Sequence, residues 1–117
     1  MAKIPGVFRS ATTVREFPAG AVIFEEGSHG EEMYGVIEGE VEVRTPSGHV
    51  HTLGPDETFG EMGIIYTTST RSATAVAATD VKLSVIDRKT FLFLVHETPM
   101  FALQVMASIA DRLRAQG

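Results

Sequence analysis

Nine of the eleven glycines in this 117-residue chain lie between Gly20 and Gly63, and the next after Gly63 is Gly117. Glycine supplies positive φ and close backbone approach where a chain must turn sharply. A segment punctuated this often is built from short strands joined by corners, whereas the second half is free to form helices. The two halves therefore obey different rules.

The front half bears this out run by run. Thr13 to Pro18 and Ala21 to Phe24 read as strands, the second closed by Glu26-Gly27. Met33 to Ile37 is a third, closed by Glu38-Gly39. Glu40 to Arg44 alternates strictly, so Val41 and Val43 face one side and the charges the other. Pro46-Ser47-Gly48 is a turn, and His49 to Leu53 leads to another at Gly54-Pro55. Residues 72–86 hold two more strands, with Val81, Leu83 and Val85 alternating with Lys82 and Ser84. From Asp87 the period changes. Phe91 to Val95 is assigned to a short helix, and Thr98-Pro99 opens another. Ala102, Met106, Ile109 and Leu113 then define one helical face, with Asp111, Arg112 and Arg114 off it. The expected fold is mainly β with helices (α+β): an antiparallel jelly-roll barrel over about 13–86, a short helix over about 61–66, and C-terminal helices over about 88–115, in one domain.

Composition narrows the function. Cysteine is absent, which excludes disulfides, thiolate metal sites and cysteine nucleophiles. Fifteen acidic against ten basic residues give a net charge of −5, which argues against contact with nucleic acid. No run of 18 apolar residues occurs, and Ile4-Pro5-Gly6 begins no signal-peptide core. A cytoplasmic protein without direct membrane contact is expected. His49-x-His51 puts two imidazoles on one strand face, a pair that jelly-roll metalloenzymes use. The nearest following carboxylate, Glu57, is awkwardly spaced, so no metal is expected.

The chemistry concentrates in Phe59-Gly60-Glu61-Met62-Gly63-Ile64 and the Arg71 that follows. A strand ends at Phe59, and Gly60 lets the backbone turn and approach a ligand. Free N–H groups at the start of the following helical turn attract anions. Arg71, eleven residues after Gly60, carries a planar guanidinium suited to phosphate. Glu61 would repel a lone phosphate but would accept from a hydroxyl on the same molecule, a combination that describes a nucleotide. The competing explanation is an Arg71–Glu61 ion pair with no ligand at all.

These residues resemble the phosphate-binding cassette of the cyclic nucleotide-binding domain found in catabolite-activator-type regulators, cyclic-nucleotide-dependent kinases and cyclic-nucleotide-gated channels. The cassette likeness rests on Phe59 to Ile64 with Arg71-Ser72-Ala73-Thr74. Phe24, Gly27, Gly30, Met33, Tyr34, Val36, Gly39, Val41 and Val43 resemble the family's glycine-rich β-roll. Ile86-Asp87-Arg88 with Phe91, and Ala110 to Leu113, resemble its closing helices. The resemblance implies that N–H groups around Gly60, Met62 and Gly63 hold a cyclic phosphate together with Arg71. It implies that Glu61 accepts from the ribose 2′-hydroxyl, and that Ser72 and Ala73 contact phosphate or base. Val43 would pack under the base, and Arg112 on the last helix would stack over it as a lid.

Two departures stand out. Thr67-Thr68-Ser69-Thr70 replaces the Gly, often followed by Pro, that usually precedes the cassette arginine, and Asp56 occupies a turn position where glycine is frequent. Asp tolerates the left-handed geometry such a turn needs. Ser72 shows no preference for guanine, so cAMP is favoured over cGMP. The implied role is a non-enzymatic sensor that passes ligand binding to a partner protein or effector domain. The alternatives are the same fold with a lapsed site acting as an interaction domain, and a jelly-roll metalloenzyme. With no helix-turn-helix read after the last helix, direct control of transcription by this chain is not expected.

Overall fold

A computed structural model of the chain describes Phe8, residues 13–66 and residues 70–116. The Thr67-Thr68-Ser69 part of the hydroxyl run lies outside the described residues. Eight strands form in order: β1 (Val14–Phe17), β2 (Val22–Phe24), β3 (Met33–Glu38), β4 (Val41–Arg44), β5 (Val50–Leu53), β6 (Thr58–Phe59), then, after the four-residue helix α1 (Met62–Ile65), β7 (Thr74–Ala77) and β8 (Val81–Ile86). Helices α2 (Arg88–Glu97) and α3 (Met100–Gln116) complete the chain.

The strands make two four-stranded antiparallel sheets, ordered β1-β8-β3-β6 and β2-β7-β4-β5, as a jelly roll requires. The alternation expected for β4 holds, with Val41 and Val43 buried and Arg44 exposed. They join Val36, Ala75, Ala77 and Leu83 between the sheets. A second apolar cluster, of Phe8, Met33, Ile64, Ile86, Phe101 and Val105, fastens α1 and the start of α3 to the end of the roll. The second cluster meets the helices, and α3 packs on β6 just before α1; that end carries the site.

The corner chemistry is visible in the backbone. Gly20, Gly27, Gly39, Gly48 and Gly60 have positive φ, and Asp56 joins them at φ 69°. Asp56 thus takes the left-handed turn expected of it.

The apolar stripe read on α3 is not the face it buries most deeply. Met106 and Leu113 are 60% and 64% exposed, while Phe101, Gln104 and Val105 are buried. The inward face is rotated from the apolar stripe because polar groups also anchor this helix: Gln104 Nε2 donates to Asp56 O (2.8 Å) and Ser108 Oγ to Thr58 O (3.2 Å). A helix face that docks partly through hydrogen bonds to carbonyls is not marked by hydrophobic spacing.

The change of period at Asp87 has a local cause. Its carboxylate caps α2 by accepting from Thr90 N–H (2.7 Å). That bond, assisted by Lys89, holds its pKa below the usual aspartate value. A depressed folded-state pKa contributes stability that is present above the unfolded aspartate pKa and lost as the pH falls through the folded value. Asp87→Ala is therefore expected to lower stability at neutral pH by about 1 kcal/mol, as loss of an N-cap does. Denaturant melts of both proteins across the acid range should show the difference closing below the ordinary aspartate pKa.

Candidate functional site

Arg71 is placed by its backbone before its side chain does anything. Its N–H donates to Ser28 O (2.7 Å), and its carbonyl accepts from Gly27 N–H (2.8 Å), stitching it to the turn after β2. The side chain then runs inward and is only 5% exposed. Its guanidinium lies 4.2 Å from the centre of the Phe24 ring. Phe24, Tyr34 and Phe59 stack on one another beneath it, with centroids 5.3–6.2 Å apart.

Three glycines make room for that guanidinium. A Cβ on Gly30 would lie 2.1–2.4 Å from Arg71 Nε, Cζ and Nη2, and one on Gly60 would lie 3.1 Å from Nη1. At Gly63 it would lie 3.1 Å from Nη1 and 2.8 Å from the Glu32 carbonyl. Gly60 also needs its positive φ of 78° to turn the chain out of β6. So some of the clustered glycines are spaces cleared for one cation as well as corners of a sheet.

That cation is under-satisfied. Nη1 donates to Gly60 O (3.2 Å), but Nε is buried with no hydrogen-bond partner among the described residues. No ion pair joins Arg71 to a carboxylate among the described residues. Burial pushes its pKa down, with Tyr34 and Glu32 acting the other way, and an arginine in a protein keeps its charge regardless. A buried cation without a counter-ion is costly, and an anion delivered to it recovers that cost.

Glu61 stands on the other side of Gly60 and is 5% exposed. Its Oε2 accepts from Thr58 Oγ1 (2.8 Å), and its Oε1 from Arg112 Nη2 (2.6 Å). The Arg71–Glu61 pair considered from sequence is thus not formed. Glu61 is neutralised by α3, and Arg71 has no carboxylate paired with it among the described residues.

Eight of the nine expected ligand residues line one cleft of about 150 Å³: Val43, Gly60, Glu61, Met62, Arg71 and Arg112, together with Ser72 and Ala73. Gly63 does not. Its N–H donates to Gly60 O (3.1 Å), so its amide is spent within the turn and its contribution is the space it leaves against Glu32 and Arg71. Arg112 lines the cleft but is engaged elsewhere. Its guanidinium does not lie free to stack: Nη1 donates to Thr58 O (2.9 Å) and Ser108 Oγ (3.1 Å) while Nη2 holds Glu61. A fork that has found a carboxylate and a carbonyl is committed to them. Ile109, one turn before Arg112, and the adjacent Leu113 supply the apolar wall on α3. Sequence reasoning missed Phe24 and Phe59 as the floor, and Thr58 as the partner of Glu61. A hydroxyl three residues before the carboxylate was the available signal for the last.

His49 and His51 stack with centroids 6.4 Å apart, and among the described residues no group of three or more His, Asp or Glu is placed to hold a metal. His51 instead faces the end of α3, with Nε2 3.0 Å from Gln116 Nε2. Its pKa is lowered by burial and by Arg112 and His49. No single helix among the described residues is long and apolar enough to cross a membrane.

A family model described as cyclic nucleotide-binding domain matches residues 14–98, from β1 to the end of α2. The chain belongs to the cyclic nucleotide-binding domain family. A cyclic AMP receptor protein of Thermus thermophilus is 38% identical over 105 residues, covering 86% of this chain and 48% of the relative. A cyclic nucleotide-gated potassium channel of Rhizobium etli is 39% identical over 98 residues, covering 84% and 27%. A structure solved in work described as "A cyclic-GMP-dependent signalling pathway regulates bacterial phytopathogenesis" superposes with a TM-score of 0.76 at 32% identity, covering 92% of this chain and 89% of that one. The chain spans about half the length of the receptor protein and about a quarter of the channel. The cyclic nucleotide-binding domain family therefore supplies this module to regulators of quite different build.

Proposed function

We propose that this domain binds a cyclic nucleoside 3′,5′-monophosphate, with cAMP preferred over cGMP, and acts as a regulatory sensor without enzymatic activity. The observation that carries this is Arg71: a buried guanidinium with an orphaned Nε and no carboxylate partner among the described residues, seated where three glycines clear space for it. A cyclic phosphate supplies one negative charge and acceptor oxygens. Arg71 and the N–H groups of Gly60, Glu61 and Met62, which have no backbone partner among the described residues, hold that phosphate. Glu61 accepts from the ribose 2′-hydroxyl. Val43 and Ala73 pack against the base, and Ser72 contributes a hydroxyl at the exposed edge.

The cleft is smaller than the usual ligand site of about 300 Å³ or more. One wall is α3, so entry of a nucleotide moves α3 outward or reseats it, and that displacement is the output. A separate segment or partner protein receives it, in the cytoplasm. The net charge of −5 gives the domain itself no surface for nucleic acid; any such contact in a longer protein falls to another segment.

Calorimetric titration with cAMP and with cGMP tests the reading. Saturable 1:1 binding with cAMP the tighter ligand is expected. Binding of neither nucleotide overturns the function, and tighter cGMP overturns the base preference.

A further inference from the structure

We infer that Thr58 is a positioning residue that sets the preference of this site for a ribose over a 2′-deoxyribose ligand, acting through Glu61. The inference rests on the proposed binding of a cyclic nucleotide in this cleft. Thr58 sits on β6 opposite Gly35 and is wholly buried. A buried hydroxyl must find a partner, and this one donates to Glu61 Oε2 at 2.8 Å. The same residue's carbonyl accepts from both Ser108 Oγ (3.2 Å) and Arg112 Nη1 (2.9 Å). One residue of a two-residue strand thus ties the cassette carboxylate to the lid helix.

The consequence lies in how the carboxylate spends its acceptor sites. Ionised Glu61 has two oxygens and about four lone-pair sites. Thr58 takes one on Oε2 and Arg112 one on Oε1, at 2.6 Å. With each oxygen pinned by a different donor, the carboxylate keeps capacity for a hydroxyl arriving from the cleft it lines. Arg112 holds the carboxylate at one point only, because its Nη1 is engaged by Thr58 O and Ser108 Oγ. The Thr58 hydroxyl supplies the second point, on Oε2, and so fixes the plane of the carboxylate. Remove the hydroxyl and Glu61 is free to turn about its single bond to Arg112, so the ligand hydroxyl loses its placed acceptor while the phosphate contacts at Arg71 are untouched. The loss falls on one chemical group of the ligand and not on binding as a whole, which a merely structural role of Thr58 does not produce.

The test is calorimetry on the full chain with cAMP and 2′-deoxy-cAMP, for the parent, Thr58→Val and Thr58→Ser. The parent is expected to prefer cAMP by about tenfold or more, the scale of a hydrogen bond to a charged group. Thr58→Ser, which keeps the hydroxyl, retains that ratio. Thr58→Val, which keeps the shape, brings it to about threefold or less by the same arithmetic. A valine variant with the parental ratio overturns the inference, and so does a serine variant that loses it. If Thr58→Val does not fold, Thr58→Ala takes its place with the same expected ratio. A parent that binds both nucleotides equally removes the role given to Glu61 and this inference with it, while cyclic-nucleotide binding stands. A parent that binds neither overturns the binding reading itself.

Discussion

Arg71→Met will weaken cAMP binding by about tenfold to a hundredfold and will leave the unliganded protein melting no lower than the parent. The first half follows from the loss of charge-assisted hydrogen bonds to phosphate, roughly 1.5–3 kcal/mol. The second half separates a ligand site from a structural arginine. Arg71 stacks on Phe24 and gives one hydrogen bond to Gly60 O, yet its Nε is buried without a partner and no carboxylate pairs with it among the described residues. Methionine fills the same channel with a flexible apolar chain, keeps contact with the rings and brings no charge to desolvate. Replacing buried charge with well-packed apolar groups is often neutral or stabilising. Thermal melts with and without cAMP read both halves at once: the parent gains stability from ligand by mass action and the variant gains less at the same concentration. Parental affinity in the variant removes Arg71 from the site. A large fall in the unliganded melting temperature makes it a structural residue.

How far the sequence reaches can be judged at individual residues. The strict alternation of β4 places Val43 inward without ambiguity, because a strand has only two faces. The cassette is equally legible, since Gly60, Glu61 and Arg71 are each chemically unusual where they stand. Gly30 and Gly63 are harder. Each looks like one more turn glycine, and the reason for each is a side chain or backbone segment distant in sequence. The pairing of Glu61 was legible only as a question: a carboxylate near an arginine predicts an ion pair but not which arginine. The partner comes from α3, 51 residues on. The buried face of α3 is hidden in the sequence for a related reason. Its anchors include Gln104, Ser108 and Arg112 reaching backbone carbonyls at 56 and 58, and hydrogen bonds to carbonyls leave no periodic trace in an apolar pattern.

That same anchoring separates loss of the end of α3 from loss of a single contact on it. A chain ending at Ala107 is expected to fold and to bind cAMP about tenfold more weakly or worse, with the loss chiefly in a faster off-rate. Phe101, Val105 and the Gln104 bond to Asp56 O remain to hold what is left of α3. Ser108, Ile109, Arg112 and Leu113 go, and with them one wall of the cleft. Glu61 loses its counter-ion in this variant, but the wall that buried it leaves at the same time, so water reaches the carboxylate. Arg112→Leu is a different injury. It removes the 2.6 Å ion pair and keeps the helix in place, stranding an ionised Glu61 against an apolar wall. Breaking one side of such a pair costs about 3–5 kcal/mol. The truncation should therefore act mainly on affinity and the point substitution mainly on stability, read by stopped-flow ligand release and by denaturant melts of both. A truncated chain that holds cAMP as tightly and as long as the parent means that α3 is not a lid. An Arg112→Leu protein as stable as the parent means that Glu61 never depended on it.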